Sequence, residues 1–315
     1  MPERRNAGGS RSGMLALPRQ TSYLFRIENR TRHMPMVCLD DRAIIRVSGK
    51  DAETLLQTLI TTDIAALTAD EVRPGALLTP QGKILFDFLI SRDGEALRLE
   101  TTEDQAEALV KRLTMYKLRS AVDLSLNSPA PVTVVFGEDA PAESYRDHRF
   151  EKAGVSVFRL YRDVPAAEAG IADLDRLRIA AGIAVAGRDY DLQDAFPHDV
   201  LMDLNGGLSF RKGCYVGQEV VSRMQHRGTA RRRLVIVAGA ATLPPSGTNI
   251  SVDGRPIGSL GTVLDRDGLA IVRIDKAGEA IAKSEAILAG DVRLTLTLPA
   301  WTGLAFSSEA GEASA

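Results

Sequence analysis

Apolar and polar residues alternate from Cys38 to Ser48, as in a strand with one buried face. From Asp51 to Ile60 the spacing turns helical, with Leu55, Leu56, Leu59 and Ile60 on one side. Two further strands, Ala76 to Leu78 and Lys83 to Ile90, flank Thr79-Pro80-Gln81-Gly82, where proline and glycine suit a hairpin turn. On the second of them Ile84, Phe86, Phe88 and Ile90 share one face, and Asp87 falls on the other between Leu85 and Leu89. A carboxylate in an apolar row is costly to bury alone. Asp87 therefore either meets a cation or donor or faces a cavity that holds a ligand, the plain alternative being a surface or salt-bridged position.

Thr102 and Gln105 have the spacing of a capping box ahead of a helix reaching about Met115, with Ala106, Leu109, Val110 and Leu113 turned inward. Strands at Pro131 to Phe136 and Val155 to Tyr161, then helices at Ala172 to Ile183 and Glu219 to Arg227, complete the mixed region. After Gly228 the pattern changes to short strands between turn residues: Arg232 to Val237, Asn249 to Val252, Ile257 to Leu264, Leu269 to Ile274 and Val292 to Leu298. That spacing suits a small closed antiparallel barrel, and the whole reads as α+β.

Composition narrows the picture. The chain of 315 residues, 44% hydrophobic, is long enough for two or three domains with sizeable cores. It contains no apolar run of the roughly 18 residues that a membrane-spanning helix needs. With 39 Lys and Arg against 41 Asp and Glu, the net charge of -2 gives no general attraction to nucleic acid or to an acidic membrane. The two cysteines, Cys38 and Cys214, are far apart and form no disulfide framework or zinc spacing, which points to a reducing, cytoplasmic setting. Residues 1–33 are rich in arginine and poor in apolar positions. They read as a disordered extension or a wrongly assigned start.

Chemistry concentrates in Lys212-Gly213-Cys214-Tyr215-Val216-Gly217-Gln218-Glu219, where Cys214 stands between glycines, after Arg211 and Lys212, at the expected start of a helix. Positive charge and a helix N-terminus both favour a thiolate, the form that attacks or binds metal. A small buried filler is the bland alternative for Cys214. His226 is a candidate metal ligand or modulator of the thiol, though a lone histidine is more often structural.

The octapeptide resembles the hallmark of YgfZ-type folate-binding proteins, relatives of the glycine cleavage T-protein that support iron-sulfur enzymes. Leu177 to Ile183, Leu56 to Asp63, Gln81 to Asp87 and Tyr116 to Arg119 resemble further family segments in the right order. His226-Arg227-Gly228 together with Asp87 is more similar to the mitochondrial iron-sulfur assembly branch. The resemblance runs from about Cys38 to about Pro299 and implies a T-protein-like folate-binding core over residues 34–228, in two subdomains. A C-terminal barrel over 229–305 and a disordered tail over 306–315 follow.

The resemblance further implies tetrahydrofolate or a derivative as cofactor, with Asp87, Tyr116, Lys117, Arg119, Lys212, Gln218, Glu219 and Arg227 around it. One of Lys117 and Arg119 has the alternative role of complementing a helix dipole. Phe86 and Ala180 stand where the T-protein has an aspartate and a pterin-holding glutamate, which weakens an aminomethyl-transfer reading. The implied function is an accessory protein for 4Fe-4S enzymes, not a conventional catalyst. In it Cys214 works as a redox thiol, or as ligand of a transient cluster shared with an A-type scaffold, a glutaredoxin or a client enzyme, since four-ligand clusters exceed what two cysteines supply. Two alternatives remain: a folate-dependent aminomethyl or methyl transferase, and an RNA-associated tRNA-modification factor using Arg231, Arg232 and Arg233. The neutral net charge, and the distance in sequence between these arginines and Trp301, count against the second.

Overall fold

The computed structural model describes residues 35–137, 139–164 and 169–306, so the expectations for residues 1–33 and for the tail beyond Phe306 fall outside the described residues. What the sequence suggests as one strand from Cys38 to Ser48 is two, β1 (Met36–Leu39) and β2 (Arg42–Ser48). The exposed pair Asp40-Asp41 breaks it, aspartate being poorly suited to a continuing strand. Seven more strands complete one sheet: β3 (Glu71–Leu78), β4 (Ile84–Asp93), β5 (Ala96–Thr102), β6 (Asp123–Asn127), β7 (Val132–Phe136), β8 (Tyr145–Asp147) and β9 (Val157–Leu160). Their order is β1-β7-β9-β8-β3-β4-β5-β2-β6, which sends β1 and β2 to opposite ends.

The sheet is two-faced. Leu89 on β4 and Ile44 on β2 both pair with Glu100 on β5, and Arg42 pairs with Thr102. Strand alternation therefore puts Arg42, Asp87, Leu89, Glu100 and Thr102 on one side. The other side carries Ile45, Val47, Phe86, Phe88, Ile90, Leu97 and Leu99, which pack with Leu56, Leu59 and Ile60 of the segment around α1 (Ala52–Leu59) and with Leu109 and Leu113 of α2 (Glu103–Lys117). A second core lies between β7 and β9 and the helices α3 (His148–Glu151) and α4 (Ile171–Ala181), where Val132, Val134 and Val157 meet Phe150, Leu174 and Leu177.

After α5 (Gln218–His226) comes the barrel: β10 (Arg232–Gly239), β11 (Asn249–Val252), β12 (Arg255–Leu264), β13 (Asp267–Arg273), β14 (Ile287–Ala289) and β15 (Val292–Thr297), closed in the order β10-β13-β12-β11-β14-β15. Its helix α6 (Ile274–Ala282) and the short β14 add to the five strands expected. Val235, Val237, Ala270 and Val272 point into the barrel. The intervening Leu234, Ile236, Leu269 and Ile271 point outward, against Ile179, Met202, Leu208 and Tyr215. Burial on both faces explains why β10 and β13 read as continuous apolar runs rather than alternating ones.

Candidate functional site

The charged face of the sheet looks into a central cavity of roughly 570 Å³, bounded on the far side by α4 and the segment from Ile183 to Tyr190. Asp87 lines it, and its carboxylate is held at both oxygens. Gln105 Nε2 donates to Oδ1 at 3.0 Å, and the Tyr190 hydroxyl donates to Oδ2 at 3.0 Å. Burial, with the Asp87 charge and hydrogen bond added, pushes the Tyr190 phenol well above its ordinary range, so it remains a donor at neutral pH. The expected capping box is not formed. Gln105 turns away from the Thr102 backbone and gives its amide to Asp87 and to Thr102 Oγ1.

Tyr190 reaches Asp87 because its loop is fastened at both ends. Arg178 on α4 donates to Asp175 Oδ1 at 2.8 Å, to Asp189 Oδ2 at 2.9 Å, to the Ile183 carbonyl at 2.8 Å and to Thr262 Oγ1 at 2.9 Å. Asp189 in turn accepts from the Thr262 backbone N–H at 2.7 Å, tying the loop to the barrel.

A second carboxylate, this one buried, shares the face with Asp87. Glu100 has a side chain only 1% exposed, and one oxygen accepts from Arg159. Arg159 also donates to Asp147, which Arg149 holds at 2.7 Å. Burial disfavours the charges of this row, but opposite neighbours win: Asp147 falls to about 2 under Arg149 and Arg159, and Arg159 rises under Glu100 and Asp147. Glu100 Oε2 has no hydrogen-bond partner among the described residues, and neither does Arg42 Nε. Exposed Asp41 stands 3.1 Å from that nitrogen without the alignment of a hydrogen bond.

The other residues expected around a cofactor do not line this cavity. Tyr116 packs against the core beneath the sheet, Lys117 donates to the Val122 carbonyl at 2.7 Å, and Arg119 is exposed. Ala180 lines a different cavity, of roughly 740 Å³, between α4 and the outside of the barrel. Lys212 is buried, and its ammonium donates to the carbonyls of Ile60 at 2.9 Å and Thr62 at 2.6 Å; burial pushes it down to about 8. It braces the octapeptide against the end of α1 and is turned inward, not toward a ligand on the surface. Gln218 opens α5, Glu219 pairs with Arg223, and Arg227 and His226 are exposed at the helix end.

The octapeptide itself sits on the β3–β4 turn. Gly217, at φ 78°, has no room for a side chain, since a Cβ there would lie 2.6 Å from the Thr79 carbonyl oxygen; one on Gly82 would lie 2.9 Å from Val220 Cβ. Tyr215 is buried and donates to the Ser209 carbonyl at 3.0 Å. Cys214 is exposed and free, and it precedes α5 by a loop instead of standing at the helix start, because Gly217 is the N-cap. Gly213 beside it faces open space and has no positive φ. The fold therefore imposes no glycine there. Cys38 is also exposed, 3.7 Å from Thr133 Oγ1. Among the described residues no group of three or more His, Cys, Asp and Glu side chains is gathered to hold a metal ion.

Comparison with known proteins places this architecture. The family model described as CAF17, C-terminal beta-barrel domain, matches residues 231–304. The iron-sulfur cluster assembly factor IBA57 homolog of Aspergillus fumigatus is 30% identical over 78% of this chain and 72% of its own length. The chain belongs to the IBA57 family. Mouse IBA57 is 29% identical over 84% of both chains, and the IBA57 homolog of Pyricularia oryzae is 33% identical over 62% of this chain. The chain spans only 55% of the Pyricularia oryzae relative's length. The aminomethyltransferase T of the glycine cleavage system from Bartonella henselae has the same fold, with a TM-score of 0.65 at 16% identity over 88% of this chain and 89% of that one. The T-protein-like fold that the octapeptide's resemblance implies is thus the fold observed. The cytoplasmic setting expected from the cysteines is corrected by these relatives, which are named as mitochondrial proteins.

Proposed function

We propose that the protein assists iron-sulfur cluster assembly by holding a tetrahydrofolate in the central cavity while presenting Cys214 to a cluster or partner on the outside. The observation that carries this reading is the separation of a central cavity of mixed polar and apolar lining from an exposed thiol flanked by a glycine that the fold does not demand. The cavity volume falls within the range of about 300–1,000 Å³ typical of small-molecule sites. Its donors suit a polar heterocycle, with the Tyr190–Asp87–Gln105 group held in place before any ligand arrives. Bound folate would supply a reduced pterin; the protein's own part is to hold and orient it. Cys214 is free to bind a cluster in transit, with the remaining ligands coming from an A-type scaffold, a glutaredoxin or the client enzyme.

Aminomethyl transfer is less well supported, because both oxygens of Asp87 are engaged by internal donors and Phe86 takes the place of a second carboxylate. An RNA surface is weakened too. Arg233 is buried against Asp203 and the His198 carbonyl, and Arg232 pairs with Asp194. The test is deletion of the gene, with rescue by wild type or Cys214→Ala, following aconitase beside an enzyme that has no cluster. Selective loss of aconitase activity that wild type restores and Cys214→Ala does not is the expected result; full aconitase activity in the deletion strain refutes the assembly role.

A further inference from the structure

We propose that Glu100 and Arg42 form the subsite for the 2-amino-4-oxo edge of a pterin, an inference that rests on the folate reading and gives it an orientation. Asp87, the carboxylate that stands out in the sequence, is already satisfied by Gln105 and Tyr190. Glu100 is not. It is almost wholly inaccessible, lines the same cavity, and keeps Oε2 without a donor among the described residues. A buried carboxylate oxygen with nothing to accept from is expensive for a fold to keep, and a ligand donor is one way to meet it.

Arg42 supplies the complementary half. Since Ile44 pairs with Glu100 and Arg42 with Thr102, Arg42 and Glu100 are diagonal neighbours on the cavity face, and Arg42 Nε lies 4.0 Å from Glu100 Oε1. That gap is too long for a hydrogen bond, so the carboxylate and the Nε–H line one wall without satisfying each other. The Arg159 guanidinium on the other carboxylate oxygen fixes the Glu100 side chain. The wall thus offers an acceptor beside a donor. Planar groups that match it present donors next to an acceptor along one edge. The pyrimidinone ring of a reduced folate does so, with its 2-amino group and N3–H as donors to Glu100 and its 4-oxo oxygen as acceptor from Arg42.

The test pairs a change in the protein with a change in the ligand. Dissociation constants are measured by anaerobic calorimetry on the full chain, for tetrahydrofolate and for the analogue with methyl in place of the 2-amino group. The proteins are wild type, Glu100→Gln and Arg42→Met. Glu100→Gln keeps shape and leaves Arg159 an oxygen, but it can set an amide donor where the free acceptor was. On wild type the methyl analogue is expected to bind roughly tenfold more weakly, as for the loss of a hydrogen bond to a charged group. On Glu100→Gln tetrahydrofolate is weakened by about as much, and the two ligands bind alike. A purely structural Glu100 would leave the tenfold ratio intact. That result, or equal binding of both ligands by wild type, overturns the subsite while the folate reading stands. Wild type that binds neither ligand overturns both. Should Glu100→Gln not fold, as judged by circular dichroism, Arg42→Met decides: tetrahydrofolate affinity unchanged from wild type sinks the proposal, and a loss of about tenfold upholds it.

Discussion

The central cavity and the octapeptide surface treat their polar residues in opposite ways. In the cavity the charges are inside, fixed by one another, and Glu100 keeps spare capacity while almost wholly buried. On the octapeptide the recognisable residues are mostly structural: Lys212 ties down the end of α1, Tyr215 fills the core, Gly217 fits over a turn, and the thiol is left outside. A motif can therefore be easy to recognise because its residues hold a loop in shape, while only one of them is available for chemistry.

The sharpest break of that contrast is at the two glycines of the octapeptide. Gly217→Ala forces a side chain against the Thr79 carbonyl at a backbone angle that L-residues avoid, and is expected to cost about 3 kcal/mol in urea unfolding. A loss below about 1 kcal/mol would mean that the loop does not lean on the hairpin. Next in size is acid sensitivity on the cavity side. Asp147 is held at about 2 when folded against 3.8 when free. Its stabilisation is complete above about pH 4 and disappears as pH falls toward 2, amounting to about 2 kcal/mol. Urea midpoints of wild type and Asp147→Asn should therefore converge over that interval; parallel curves would show that Arg149 and Arg159 do not depress it. The smallest effect belongs to Gly213→Ala and Cys214→Ala. Both positions are exposed, and each change should move stability by less than about 0.5 kcal/mol while Cys214→Ala abolishes rescue of aconitase. A large stability loss at Cys214 would make it a packing residue.

Much of the fold is legible in the sequence because most strands carry one apolar face or a continuous apolar run. The α+β class, the β3–β4 hairpin, the helices around Leu109 and Leu177, and the barrel follow from period and turn residues. β5 escapes such a reading, since Arg98 and Glu100, alternating with Leu97 and Leu99, look like a solvent face, whereas Glu100 is buried over Arg159. Asp87 announces itself as a carboxylate among apolar residues. Its partner Tyr190 lies 103 positions away on a loop without periodicity, and no local pattern could bring them together. Lys212 is visible as a cation, but its inward turn is decided by two carbonyls 152 and 150 residues earlier.

The outward apolar residues of the barrel bear on how the chain is made. Ile179, Met202, Leu208 and Tyr215 are covered by Leu234, Ile236, Leu269 and Ile271, which leave the ribosome after them. Until β13 has emerged, the earlier part of the protein waits with a greasy patch open to whatever binds nascent chains, and a barrel expressed alone would show the matching patch. Synthesis of this protein is complete in a physical sense only when its last strands arrive.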